Sequence, residues 1–121
     1  MAQAELVFVV NSANASVFDH TAVENIFLGK TKAFPSGDKA IPIMVDYANP
    51  GVENFLVSQI GKSSSQYRAL WARLVFAGAA TPPQAVPTSQ DVVDLVEKNP
   101  NLIGIADSAA VKGAVKILVF K

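Results

Sequence analysis

Apolar and polar residues alternate along this chain in two rhythms. Residues 5–10 are rich in β-branched and aromatic types and run into Asn11-Ser12-Ala13-Asn14, whose short polar side chains compete with a ladder for backbone groups. A strand followed by a loop is predicted there. Thr21-Ala22-Val23-Glu24 has the spacing of a capping box, Val23, Ile26 and Phe27 share one helical face, and Gly29 suits a positive-φ stop, which together predict a short first helix. Residues 30–40, with Pro35, Ser36-Gly37-Asp38 and three lysines, read as a solvated loop before a second strand over residues 41–46.

Asn49-Pro50-Gly51 then opens a helix, with Asn49 as its cap and Pro50 at the first helical position, where a missing N–H costs nothing. Val52, Phe55, Leu56 and Ile60 form its stripe and Gly61 ends it. Ser63-Ser64-Ser65-Gln66 starts a third helix with a second capping-box spacing. Tyr67, Leu70, Trp71, Leu74 and Val75 lie on one face, Arg68 and Arg73 off it, and Gly78 closes it. The prolines of residues 81–87 exclude helix and central strand, leaving an extended surface loop. Thr88-Ser89 caps a fourth helix with Val92, Leu95 and Val96 inward, stopped at Asn99-Pro100. Strands over residues 102–106 and 115–120 finish the chain, with turns at Asp107-Ser108 and Lys112-Gly113 between them. Four strands alternating with four helices predict an α/β sandwich, helices covering a mostly parallel or mixed sheet.

Composition narrows the chemistry. A chain of 121 residues, 50% apolar and 17% charged, has the size and the apolar content of one folded domain. Ten basic against ten acidic residues give a formal charge of zero, so no net field gathers nucleic acid or anionic lipid. With no cysteine there are no disulfides, zinc ribbons or thiol nucleophiles, and the single His20 provides no histidine pair for a metal. The longest apolar runs fall far short of the ~20 residues that span a bilayer. Ala2-Gln3-Ala4 has the small-x-small form that leader peptidases cut after; residues 1–4 are expected to be a start Met plus a cleavage remnant, and residues 5–121 a single exported domain.

Four short segments carry a family likeness: Val9-Val10-Asn11, Ile26-Phe27-Leu28-Gly29-Lys30, Pro42-Ile43-Met44-Val45, and Asn99-Pro100-Asn101-Leu102-Ile103-Gly104-Ile105. In this order the chain resembles the phosphate ABC-transporter substrate-binding proteins, of the type II periplasmic-binding-protein fold, and especially their short single-lobe relatives. The likeness runs over about residues 6–120 and is most specific at Phe27-Leu28-Gly29-Lys30. It implies a single-lobe three-layer sandwich, α/β, with a mixed four- to five-stranded sheet. It implies a periplasmic, transport-associated protein without a cofactor and without enzymatic activity, which holds a small oxyanion such as phosphate on backbone N–H groups at helix starts and on hydroxyl side chains. Unpaired N–H groups and the helix dipole make that role physically sound.

The corresponding helix start here is Asn49-Pro50-Gly51-Val52. Where the phosphate binders carry an Arg-Ser-Asp-Gly-Ser-Gly-Thr type motif, this chain has Val45-Asp46-Tyr47-Ala48-Asn49-Pro50-Gly51, without the Arg or the hydroxyls. Pro50 removes a donor and Asp46 brings a carboxylate close to the site. One lobe also leaves an anion half hydrated, so a second copy or another protein is expected to supply the missing wall, with residues 11–16 and 46–52 facing it. Candidate ligand residues are Asn11, Ser12 and Asn14 in the first loop and Asp46, Tyr47, Asn49, Gly51 and Val52 in the second. The alternative is an envelope protein–protein interaction module that has kept the lobe and lost the ligand.

Each candidate has a plainer reading beside it. Asn11, Ser12, Asn14 and Ser16 follow the carboxyl end of a strand, where open α/β sheets place ligand loops, and they are equally ordinary turn residues. Asn49 reads as an anion donor or simply as a helix cap. Tyr67, Leu70, Trp71 and Leu74 read as core, Arg68 and Arg73 as solvated surface, and Lys30, Lys32 and Lys39 as a solvated basic loop. His20 beside Asp19 reads as part of a helix cap, with no nucleophile tied to it.

Overall fold

A computed structural model describes residues 5–14, 18–78 and 83–118. Five strands, β1 (Leu6–Asn11), β2 (Ile41–Val45), β3 (Gln84–Val86), β4 (Leu102–Asp107) and β5 (Val115–Ile117), form one sheet in the order β3-β2-β4-β1-β5. β2 runs parallel to β3 and β4, whereas β1 runs antiparallel to both β4 and β5. The helices are α1 (His20–Phe27), α2 (Val52–Gln59), α3 (Ser64–Phe76) and α4 (Ser89–Lys98). The mixed sheet and its covering helices confirm the α/β sandwich.

β4 lies at the centre, and its residues from Leu102 to Ala106 are buried on both faces, as an uninterrupted apolar strand should be. α4 covers one face, where Gly104 lies opposite Val9 and beneath Val92 and Val96. On the other face the Phe8 ring meets Phe27 of α1 at 5.3 Å and Phe55 of α2 at 5.0 Å between centroids. α3 is fastened to α1 by a shared acceptor: the Tyr67 hydroxyl (2.6 Å) and the Trp71 indole N–H (3.1 Å) both donate to the carbonyl of Phe27. Tyr67, Leu70, Trp71 and Leu74 therefore are core or half-buried, as their spacing predicts, while Val75 is left exposed.

Burial pushes the Tyr67 phenol well above its ordinary pKa of 10.0. The unfolded chain ionises this phenol first, so its contribution is complete below pH 10.0 and is lost as pH rises beyond it. Urea midpoints are expected to fall on the alkaline side and to fall less in Tyr67→Phe. Equal alkaline slopes for the two proteins would refute this.

Several boundaries depart from the pattern-based expectation. The first helix is capped by Asp19, whose carboxylate accepts from the Ala22 N–H at 2.7 Å, so it starts at His20 and the Thr21-to-Glu24 spacing is not a capping box. The second capping box is formed as predicted, with Ser63 and Gln66 exchanging side-chain bonds to each other's backbone. Residues 84–86 make a fifth, edge strand between Pro83 and Pro87, where an edge tolerates prolines on its flanks. In α4 the inward side chains are Val92, Val93 and Val96. This centres the stripe near Val96 and turns Leu95 outward to 38% exposure, against the expected inward position. The turn at Asp107-Ser108 is a short 3-10 helix, Ser108–Ala110, with Asp107 accepting from the Ala109 N–H. The expectations for residues 1–4, Ser16, Thr81, Pro82 and 119–121 lie outside the described residues. Among the described residues no helix is long and apolar enough to cross a membrane.

Candidate functional site

The carboxyl ends of the parallel strands β2 and β4 lie at one end of the sheet, where open α/β sheets place ligands, and the β2–α2 turn crosses that end. The turn is closed by its own polar groups. Asp46 donates its N–H to Val86, tying the turn to β3, and its carboxylate accepts from the Ala48 N–H at 3.0 Å. The Asp46 carbonyl takes the Asn49 N–H at 2.9 Å. Asn49 Oδ1 then takes the Gly51 N–H at 2.8 Å, and the Asn49 carbonyl takes the Val52 N–H at 3.1 Å. Pro50 has no N–H, so the amides of 48, 49, 51 and 52 all have partners within the turn.

This corrects the expected cap. Helical geometry begins at Val52, with Gly51 as the flanking residue and no side-chain cap bond; Pro50 stands before the helix and Asn49 closes the turn instead of capping α2. Gly51 packs tightly, since a Cβ there would lie 3.3 Å from Asn49 Oδ1 and 3.5 Å from Leu6. An open cleft of about 540 Å³ beside the turn is bordered by Glu5, Leu6, Asn54, Ser58 and Asp107.

The first predicted loop does not share this site. β1 is antiparallel to β4, so Asn11 stands level with the start of β2, about 16 Å of strand rise away from Asp46. Residues 11–14 and 46–52 thus occupy opposite ends of the sheet and cannot face one common wall, which corrects that expectation. Asn11 is buried and engaged: Nδ2 donates to the carbonyls of Val96 (3.1 Å) and Glu97 (2.8 Å) at the end of α4, and Oδ1 accepts from the Ala13 N–H. The Ser12 N–H donates to Ala114, and the Asn14 carbonyl accepts from Lys116 Nζ at 2.7 Å.

Two residues missing from the candidate set sit next to the β2–α2 turn. The Arg68 guanidinium of α3 lies 4.0 Å above the Tyr47 ring centroid, a cation–π contact. Burial raises the Tyr47 phenol above its usual range, with Arg68 pulling it down by a smaller amount. Glu53, in the first turn of α2, reaches across to accept from the Ser64 N–H at 3.0 Å, so a carboxylate already occupies the start of α3. Arg68, Tyr47 and Glu53 border a polar cleft with Ser63, Ser64 and Ser65. The signal for Arg68 was its position one residue beyond Tyr67, at the margin of the buried stripe. Among the described residues no group of three or more His, Cys, Asp or Glu is placed to hold a metal.

The fold is an α/β sandwich on a five-stranded mixed sheet, with the β2–α2 turn at the carboxyl ends of its parallel strands. A scan of the sequence against protein-family models finds no match, and neither does a search among curated proteins. Among solved structures the chain is similar to an ABC-type phosphate transport receptor from Vibrio cholerae, with TM-score 0.70 and 18% identity over 97% of this chain and 46% of that one. It is similar to a protein described as a phosphate ABC-transporter substrate-binding protein, with bound phosphate, from Clostridium perfringens (TM-score 0.70, 13% identity, 95% of this chain and 44% of that one). It is similar also to PstS from Borrelia burgdorferi (TM-score 0.67, 14% identity, 98% of this chain and 47% of that one). These neighbours are phosphate-transport binding proteins, the group that the sequence resembles. The chain spans less than half the length of these neighbours, and at these identities the likeness is one of fold.

Proposed function

We propose that this chain is a single-lobe relative of the phosphate-type substrate-binding proteins, working in the periplasm in association with ABC transport. In this reading it meets a small oxyanion at the β2–α2 turn, through Asp46, Tyr47, Asn49, Gly51 and Val52, with a second copy or another protein completing the cleft. The observation that carries the reading is the fold: nearly the whole chain superposes on one part of three phosphate-transport receptors. The start of α2, at the carboxyl ends of parallel strands, adds a favourable dipole. An oxyanion reaching this turn competes with the Asp46 carboxylate for the Ala48 N–H and with Asn49 Oδ1 for the Gly51 N–H. The lobe alone is therefore expected to bind phosphate weakly, with a Kd of about 1 mM.

Removing the negative charge from the turn tests the reading. Asp46→Asn retains an acceptor for the Ala48 N–H and is expected to tighten phosphate binding about tenfold, a gain of ~1.4 kcal/mol, in calorimetric titration. Sedimentation run beside the titration reports whether a second copy joins. No heat from either protein with phosphate or sulfate, together with a monomer, would end the oxyanion reading.

A second reading is favoured by one observation, the commitment of the turn's amides to internal partners. On that reading the chain is an envelope interaction module whose β2–α2 end contacts another protein. Asp46→Asn then leaves anion titrations flat.

A further inference from the structure

The other end of the sheet carries a second cleft, lined by two lysines. The loop of residues 30–40 is a small hairpin: Ala33 bridges Lys39, the Ala40 N–H donates to the Lys32 carbonyl at 2.9 Å, and the Phe34 N–H donates to Asp38 at 2.8 Å. Phe34 is buried and meets Phe18 edge-on at 5.7 Å, and Asn101 Nδ2 holds the Lys39 carbonyl at 2.8 Å. The backbone at both lysines is therefore fixed by the fold. Together with α1 and Trp71 of α3 the hairpin borders a cleft of about 520 Å³, whose lining includes Ile26, Thr31, Lys32, Lys39, Pro42 and Trp71. Among the described residues two cations and no acid line it, in a protein of zero formal charge, whereas Glu5 and Asp107 line the cleft by the β2–α2 turn.

From this arrangement we infer that the cleft between the hairpin and Trp71 binds a small organic anion with a flat apolar body, an aromatic carboxylate or sulfonate. The volume suits a small molecule, the apolar lining takes the ring system, and Lys39 and the Thr31 hydroxyl take the charged group. This inference stands apart from the oxyanion reading, which concerns the opposite end of the sheet.

Trp71 is the only tryptophan and lines the cleft, so it can report occupancy by energy transfer. The probes are anilinonaphthalene sulfonate and its uncharged parent, phenylnaphthylamine. The sulfonate is expected to bind about tenfold more tightly than the neutral parent, and the difference is expected to shrink as salt rises. Lys39→Glu is expected to abolish the preference. Phe76→Ser, on a separate groove that Trp71 also lines, is expected to leave it unchanged. Lys39 and Phe76 are both exposed, so the variants fold, and their circular dichroism checks this. The inference is overturned by equal affinities for the two probes, by a preference that survives Lys39→Glu, by a signal lost in Phe76→Ser, or by no transfer from either probe.

Discussion

Trp71→Ala is expected to lower folding stability by about 3–5 kcal/mol, the range for removing a buried tryptophan. For a chain of this length that corresponds to a fall of about 10–20 °C in the melting midpoint. The indole is 5% exposed, donates to the Phe27 carbonyl, and packs over Gly29, where a Cβ would lie 3.0 Å from the ring and 3.1 Å from Leu74. Gly29 also has φ +76°, so a side chain there is strained even without the ring. A double-mutant cycle isolates the contact with the ring: Gly29→Ala is expected to be less damaging in the Trp71→Ala background, because only the backbone strain and the Leu74 contact remain. A Trp71→Ala protein melting within about 1 kcal/mol of the parent would show that α3 is not fastened to α1 as described.

Gly104→Val is the second large effect. At the centre of β4 a Cβ would stand 2.5 Å from Val92 Cγ1 and 3.3 Å from both Val9 and Val96, so α4 has to lift from the sheet. Valine is ordinarily better than glycine in a strand, so propensity alone predicts a gain. Overpacking is expected to win, with a net loss of about 1–3 kcal/mol measured by urea unfolding. Val92→Ala in the same chain is expected to recover part of the loss by opening space beneath the helix. A stabilised Gly104→Val would refute the close approach of α4.

The residues that carried the resemblance turn out to be structural devices, which explains why the fold was more legible than the site. Phe27 offers the carbonyl that Tyr67 and Trp71 share, and Gly29 makes room for Trp71. Asn99 and Asn101 set the entry to β4, with Asn101 bonding Lys39 through its side chain and Ile41 through its carbonyl, so that β2 and β4 pair in register. Periodicity found the elements because each has a buried face. It missed β3, whose three residues pair only at an edge, and it put Leu95 inward because a window on Val92 and Val96 is blind to Val93. The direction of β1 was invisible, because antiparallel and parallel strands share the same apolar run. That single unknown placed Asn11, Ser12 and Asn14 beside residues 46–52, when they lie at the far end. Side-chain types at residues 46–52 allowed both an anion cradle and a closed turn. Only the hydrogen bonds of Asp46 and Asn49 distinguish the two.

The closed state of that turn bears on how anything docks there. Segments that order themselves on contact lose conformational freedom at the moment of association, which weakens binding and slows it. Here Asp46 and Asn49 have already fixed the backbone. A partner meeting this tip therefore encounters a preset shape, and recognition proceeds as rigid-body fitting, governed by surface match and steering charge instead of by refolding.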